Sequence, residues 1–451
     1  MELNGIEHST EPEDLISYGF DASGLEGAAT TVVWPRSAEE VIRAVRHARE
    51  NEMAVVPRGA GTGLTGGSVP SGGAMVVSFE KMASILHADV ENLNVLVEPG
   101  VINGRLQREL EGRGFFYPPD PASMEFCTIG GNVAENAGGP RALKYGVTRD
   151  YVMELEAVLP SGDLIRTGVR THKGVVGYDL TRLLVGSEGT LAIVTKIRLR
   201  VLPAPEAVVT LLASFGDVET AGRAVSETIA SRIIPRVLEF MDRESIEAVE
   251  KFKPSGLATG VEALLLIELD GAPQAIEREA EKVVEVCRSL GAEVEMAADE
   301  EARQRLWQSR RALSPALYHL SPTKINEDIV VPRSRLAEML GGLRRLSEST
   351  GIRIVNFGHA GDGNIHVNIM VDRRDEEQYR KGVGLVREIF GTVLSLGGTI
   401  SGEHGIGLTK ADYLEMEIKE KELSLMKGIK RLFDPENMLN PGKIFRGPQG
   451  S

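Results

Sequence analysis

The stretch PRGAGTGLTGGSVPSGG, residues 57–73, packs seven glycines between the apolar runs Ala54-Val55-Val56 and Ala74–Phe79. Neither helix nor strand tolerates that density of glycine throughout, so it is a loop between two strands. Within it, Gly61-Thr62-Gly63-Leu64-Thr65-Gly66 matches G-x-G-x-x-G, with Glu80 nineteen residues past Gly61. Taken as a pattern, this suggests a dinucleotide. The mechanism, however, needs a helix starting at the loop, whose N-terminal dipole meets the pyrophosphate. The next residues are Gly67, Ser68, Val69, Pro70, Ser71, Gly72 and Gly73, and no helix starts there. The motif is therefore weak support for NAD. The surviving reading is an anion nest of successive backbone N–H groups that no side chain obstructs. A flexible surface loop is the rival, and ordering seven glycines for no gain argues against it.

Upstream lies a β-α-β unit. The β-branched run Thr31-Val32-Val33-Trp34 ends at Pro35, and Ser37, with Glu40 three residues on, caps a helix bearing Val41, Ile42, Val45 and Ala48 on one face. Downstream, strand-like runs cover 94–97, 153–159 and 191–202. Between them come the rigid turn Pro118-Pro119-Asp120-Pro121, the block TIGGNVAENAGG (128–139) and Val185-Gly186-Ser187-Glu188-Gly189-Thr190-Leu191. Gly/Asn-rich junctions that each sit beside a strand suggest one extended ligand threaded through one domain.

The whole-chain numbers bound the function. A length of 451 residues argues for two or three domains. With 51 basic and 65 acidic residues the net charge is −14, against a nucleic-acid binder. Two cysteines, Cys127 and Cys287, exclude a disulfide scaffold and are too few for a four-cysteine iron–sulfur cluster. No apolar run approaches the ~18–20 residues of a bilayer span, and the acidic start MELNGIEHSTEPEDL lacks a secretory pattern. A cytoplasmic protein is expected, held to a membrane at most through a partner. Glycine, 50 of 451, is enriched over the usual ~7%, and its clustering carries the signal.

After Pro203 and Pro205 the pattern becomes repeated strand–helix–strand: 208–214, 217–231 and 236–241; 263–269, 273–290 and 293–296; then 328–331, 335–349 and 352–356. Helical sequence resumes at 374–396 and 418–432, and a domain boundary is expected near 204. Two motifs here carry chemistry, NFGHAGDGNIHVNI (356–369) and SGEHGIG (401–407). In the strand after Gly363, His366 and Asn368 share one face and Ile365, Val367 and Ile369 the other, so the polar face looks onto something wet or ligating. Two neutral imidazoles and a carboxylate make the ligand set of an open divalent-metal site, and His359, His366 and Glu403 supply it. The alternative is turn and core histidines with satisfied hydrogen bonds; the flanking glycines, which admit close backbone approach, favour the ligand reading.

Taken together, PRGAGTGLTGG, VEPGV, PPDPAS, TIGGNVAENAGG and GYDLTRLLVGSEGTLAIVT resemble the FAD-binding domain of the vanillyl-alcohol oxidase / p-cresol methylhydroxylase flavoproteins. With the C-terminal motifs, residues 25–446 are most similar to the D-lactate dehydrogenase / glycolate oxidase FAD-subunit branch. The resemblance implies an α+β fold: a two-part FAD-binding domain (25–204) and a substrate-binding cap domain (205–446) with an antiparallel sheet, flanking helices and a C-terminal segment returning to the flavin. It implies that Arg58, Gly59, Ala60, Gly61, Thr62, Gly63, Thr65, Gly66 and Gly67 hold the FAD pyrophosphate. It further implies that Pro119, Asp120, Gly130, Gly131, Asn136, Gly138, Glu188 and Ile193 line the flavin or adenine side, with Asn440 against the flavin. Members with covalent FAD attach it through His, Cys or Tyr; no His lies in this loop, so FAD is expected to be non-covalent.

In the family the positions matching His359, His366 and Glu403 bind a divalent ion, often zinc. His404 stands beside the substrate hydroxyl as the base, and Asn368 contacts the substrate. Leu306-Trp307-Gln308-Ser309-Arg310-Arg311 resembles the segment in which an Arg three after Trp clamps the carboxylate. That is Arg310, with Arg311 the alternative, and a planar fork suits the task. Where 2-hydroxyglutarate dehydrogenases have a Lys, this chain has Asn326, with Lys324 two residues earlier, which weighs against a dicarboxylate. The implied reaction is oxidation of a D-2-hydroxy acid, D-lactate or glycolate, to the 2-oxo acid. Electrons would pass to a separate electron-transfer flavoprotein, cytochrome, quinone or iron–sulfur subunit. The rivals are an alkyl-dihydroxyacetone-phosphate-synthase-like transferase and a redox-relay subunit without its own substrate.

Overall fold

Ser37 does cap the first long helix: its hydroxyl accepts from the Glu40 amide at 3.3 Å, and Val41, Ala44, Val45 and Ala48 are buried along one face of Ala38–Glu50. In the computed structural model, which describes residue 3 and residues 5–446, this helix lies between strands Ala29–Val33 and Val55–Arg58. Met1, Glu2 and Asn4 of the acidic N-terminal stretch lie outside the described residues. Both strands pair in parallel with Ala74–Ser78, and His8–Ser9 closes the other edge antiparallel. A five-stranded antiparallel sheet comes next, ordered Ile85–Asp89, Asn94–Val97, Ile193–Arg200, Val152–Val158, Leu164–Gly168. No helix intervenes between the glycine loop and Ala74, as the objection to a Rossmann motif requires.

The chain divides into two units: Met1–Gly138 with Gly146–Ala204 and Glu403–Ser451, and Gly139–Tyr145 with Pro205–Gly402. The boundary at 204/205 coincides with the composition shift. Residues 403–446, which contain the C-terminal segment expected to return to the flavin domain, pack with the first unit. The reason is a bridge onto its parallel sheet, where Val55 donates to Met438 and Asn440 to Val55, both at 2.8 Å. That covers the Val55–Arg58 edge, which would otherwise expose unpaired backbone. Lys430, on helix Glu420–Phe433, fixes the same segment. Its buried ammonium donates to the carbonyls of Thr190 (2.8 Å) and Leu439 (2.9 Å) and pairs with buried Asp434. Lys430→Met leaves Asp434 charged and without its cation, held by the amides of Met438 (3.1 Å) and Leu439 (2.8 Å) alone. It is expected to destabilise this unit by about 3–5 kcal/mol, seen as a lower urea midpoint of unfolding.

The second unit is a seven-stranded antiparallel sheet ordered Glu293–Met296, Ala207–Phe215, Ala263–Gly271, Val237–Asp242, Ile354–Gly358, Asn364–Val371, Thr323–Val330. One face packs Leu212, Val237, Met241, Leu264, Leu266, Val355, Phe357 and Met370 against helices Arg243–Phe252 and Glu300–Ala316. The fold is α+β, a flavoprotein-type domain plus an antiparallel cap sheet. No helix among the described residues is long and apolar enough to cross a membrane.

Candidate functional site

The first unit holds the glycine loop between strands Val55–Arg58 and Ala74–Ser78. Among the described residues, none of the amides from Gly59 to Gly67 donates to a protein acceptor, although Thr65, Gly66 and Gly67 are buried. Buried amides are almost always paired, so this run lacks an acceptor that something else must supply. Gly66 adopts φ +82°, which an L side chain rarely takes. A Cβ on Gly59 would collide with the Thr128 hydroxyl, so the two glycine-rich blocks meet there. Thr128 itself caps helix Ile129–Glu135, accepting from Gly131 at 3.1 Å. Arg58 braces the loop from behind: its Nη1 donates to the Phe20 carbonyl at 2.7 Å.

The same unit ties the loop to the Glu403–His404 segment. Thr65 Oγ1 donates to the His404 carbonyl (3.0 Å), and the Leu408 amide donates to the Thr65 carbonyl (2.7 Å). Glu188, at φ +52°, accepts from the amides of Ile406 (2.8 Å) and Gly407 (2.7 Å). Burial pushes the Glu188 carboxyl up in pKa, against the pull of those two amides and of Lys410 and Lys443. Asn440 donates through Nδ2 to the carbonyls of Gly67 (2.8 Å) and Glu188 (2.7 Å). Asn136, left-handed at φ +58°, ends the helix and accepts from the Arg149 amide at 2.9 Å. Asp120 and Gly138 are buried, and Ile193 commits its side chain to the hydrophobic core with Met75, Val77 and Leu439.

The second unit gathers the other predicted residues on one sheet face. The hairpin of Ile354–Gly358 and Asn364–Val371 turns through Ala360–Asp362, placing Phe357 opposite His366. His359 and His366 have ring centroids 5.0 Å apart. Strand Thr323–Val330 pairs so that Asp328 faces His366 and Asn326 faces Asn368. The His366 Nδ1–Asp328 distance is 3.5 Å, and Asn326 Nδ2 donates to Asn368 Oδ1 at 2.8 Å. The polar face expected to look onto something wet or ligating is buried, with His366 at 7% and Asn368 at 0% exposure. Asn364–Val371 lies between Ile354–Gly358 and the edge strand Thr323–Val330, and Asn368 bonds to Asn326 and to the carbonyls of Val355 and His366.

Helix Glu300–Ala316 crosses this face. Trp307 donates its indole N–H to Glu268 at 2.6 Å, and Arg310, one turn on and on the same side, reaches Glu239. Arg310 Nε and Nη2 both contact Glu239 Oε2, at 2.6 and 2.5 Å, while Glu239 Oε1 meets His359 Nδ1 at 2.6 Å. Burial pushes the Glu239 carboxyl up, but Arg310 and His359 together outweigh it and hold it below the ordinary range. Arg311 points outward and stacks over Trp307 at 5.7 Å. Lys324 donates to the Ser314 hydroxyl, its ammonium lowered by burial to about 8.

A family described as FAD linked oxidases, C-terminal domain, matches residues 204–444, and one described as FAD binding domain matches 29–168. The chain belongs to the FAD-linked oxidases. It is similar to the glycolate oxidase subunit GlcD of Bacillus subtilis (strain 168), 46% identical over 430 residues that cover 95% of this chain and 92% of that one. It is also similar to a D-lactate dehydrogenase of Anaerostipes hadrus, at 39% identity, 95% and 92% covered. The solved structure of p-cresol methylhydroxylase shares the fold at TM-score 0.81 and 18% identity, covering 98% of this chain and 95% of that one. This oxidase is therefore an enzyme of the vanillyl-alcohol oxidase / p-cresol methylhydroxylase superfamily, in the glycolate oxidase / D-lactate dehydrogenase branch, and FAD is its cofactor.

The oxidase's own residues fit that cofactor, because a pyrophosphate is the acceptor that the Gly59–Gly67 amides lack. They also fit a divalent cation: buried imidazoles and a buried carboxylate, His359, His366 and Asp328, converge on one sheet face. Asp328 and Glu239 were missed at sequence level. Glu239 is an acid in the otherwise apolar run 237–241, a signal that was available, whereas Asp328 stands beside Lys324, Asn326 and Glu327 in Thr323–Val330, where nothing marks it.

Proposed function

We propose that this oxidase converts a D-2-hydroxy acid, D-lactate or glycolate, to the corresponding 2-oxo acid. The observation that carries the reading is the single sheet face on which Arg310 stands with His359, His366 and Asp328. A cation able to hold a carboxylate lies beside imidazoles and a carboxylate able to hold a metal ion. In this reading Arg310 takes the substrate carboxylate and Asn368 its hydroxyl or carboxylate. His359 and His366 hold a divalent ion, zinc by preference, with Asp328 and Glu403. The chain runs from Gly402, whose amide donates to Asp328 at 2.9 Å, to His404, whose carbonyl is bonded to Thr65, in two residues. Glu403 lies between them, so its backbone stays within about 4 Å of Gly402.

His404 takes the hydroxyl proton as the C–H bond gives up its electron pair. When bound, FAD supplies the two-electron acceptor and the cation supplies positive charge for the ionising oxygen. Arg58 to Gly63, Thr65 to Gly67, Pro119, Asp120, Gly130, Gly131, Asn136, Gly138, Glu188, Ile193 and Asn440 serve the FAD side. Binding is non-covalent, and electrons leave to a separate carrier protein or quinone. The relatives named for glycolate and D-lactate support the substrate class, and Asn326, bonded to Asn368, offers no cation for a second carboxylate. In this reading the oxidase works in the cytoplasm, held to a membrane at most through a partner.

One preparation tests this. Anaerobic D-lactate or glycolate should bleach the flavin of the purified chain while L-lactate and D-2-hydroxyglutarate do not. Acid precipitation should then leave the yellow FAD in the supernatant. A flavin that no hydroxy acid bleaches would overturn the reading in favour of a transferase or a relay subunit, and colour in the pellet would show a covalent link.

A further inference from the structure

We infer that Glu239 is a positioning residue that sets the His359 tautomer and the orientation of Arg310 through its two carboxylate oxygens. The inference rests on the reading above, in which His359 ligates a divalent ion and Arg310 holds the substrate carboxylate.

Glu239 sits in the middle of Val237–Asp242 with no exposed side-chain surface, and its neighbours on the same face, Val237 and Met241, belong to the hydrophobic core. A buried ion pair is often no more stabilising than apolar residues of the same volume. An acid at this position therefore needs an explanation other than stability.

The division of its oxygens supplies one. Oε1 faces His359 Nδ1, and Oε2 faces Arg310 Nε and Nη2. An ionised carboxylate has acceptors and no donor, so a neutral His359 donates from Nδ1 and carries its lone pair on Nε2, the form that can ligate a metal. On the other side, Oε2 engages the Nε/Nη2 edge of the guanidinium, and the Phe357 ring lies 5.0 Å from its centre. With one edge held and one face covered, Arg310 turns its Nη1/Nη2 end toward a second anion. Since both oxygens belong to one rigid group, the imidazole and the guanidinium keep a fixed spacing.

Glu239→Gln removes this division while keeping the shape. If its amide oxygen faces Arg310, its NH2 faces His359 Nδ1 and drives the ring proton onto Nε2. Flipped, the NH2 opposes the guanidinium instead. In the FAD-loaded full chain, Glu239→Gln is expected to weaken Zn2+ binding about 10–100-fold, measured against a chromophoric chelator. It should also raise KM for D-lactate or glycolate about tenfold, with FAD content unchanged.

The decisive comparison is the double variant. Because Glu239 acts on KM through Arg310, Glu239→Gln should add little to KM in an Arg310→Met background, yet still weaken Zn2+ binding there. A general structural defect would add in full. Wild-type Zn2+ affinity with unchanged KM in Glu239→Gln overturns the inference, and so does full additivity with Arg310→Met. If Glu239→Gln does not hold FAD, Glu239→Asp, which keeps the charge but withdraws the oxygens, carries the same readouts. Wild type and His366→Asn are titrated alongside. A wild-type chain that takes no Zn2+ overturns the metal reading and the tautomer half with it, while the KM comparison still decides the hold on Arg310.

Discussion

Arg310→Met is expected to lower kcat/KM for the hydroxy acid by about 30- to 5,000-fold, the 2–5 kcal/mol lost when one member of a buried, hydrogen-bonded charge pair is truncated. The substrate carboxylate would enter a site enclosed by the cap sheet and lose its hydration, with no cation to replace it. Glu239 would also lose the partner on Oε2, which is why FAD content and Zn2+ binding need measuring beside the kinetics. Arg310→Lys should fall between wild type and Met, because an ammonium keeps the charge but cannot serve Glu239 and a substrate with one planar fork. Arg311→Met is the contrast. That guanidinium is exposed and stacks on Trp307, so its loss should change kcat/KM no more than about twofold. Equal effects at the two positions would show that helix Glu300–Ala316 does not present Arg310 to the substrate.

The difference between those neighbouring arginines shows what could be read from sequence and what could not. Local periodicity marks the helix faces and strands well: Ser37 caps where its spacing from Glu40 says it should, and strand 94–97 falls at its predicted bounds. On a helix Arg310 (i+3) and Arg311 (i+4) both lie on the side of Trp307, so spacing leaves the pair open; the fold separates them by burying Arg310 and leaving Arg311 exposed. Helix Ile129–Glu135 went unread because Gly130 and Gly131 depress helix propensity, and only the Thr128 cap signals it. Asp328 and Glu239 were missed for another reason. Each matters through a partner brought near by strand pairing or a turn: His366 lies 38 residues beyond Asp328 and His359 lies 120 beyond Glu239. Register between distant strands is a property of the folded sheet. The polar face of Asn364–Val371 was legible by alternation, but its burial was not, because exposure depends on what the helices cover.

His404→Asn carries the second large expected effect, a fall of about 10²–10⁴-fold in the single-turnover rate of flavin reduction, the usual worth of a positioned general base. The substitution suits this backbone. The His404 contact with Thr65 is made by its carbonyl, and the neighbouring amides of Ile406 and Gly407 are held by Glu188, so the loop keeps its anchors whatever side chain stands at 404. Asn matches the polarity of the imidazole but cannot accept a proton near neutral pH, so a loss of rate with retained FAD and Zn2+ isolates proton removal. Glu403→Gln separates the neighbouring role: it should weaken Zn2+ binding and slow the reaction while FAD stays on the Gly59–Gly67 amides. Charge supplied by a bound cation would still assist ionisation in His404→Asn, which is why residual turnover is expected rather than none. If His404→Asn reduces its flavin at the wild-type rate, the base is elsewhere, and the side chain at 404 is only a passenger on a loop that Thr65 and Glu188 hold in place.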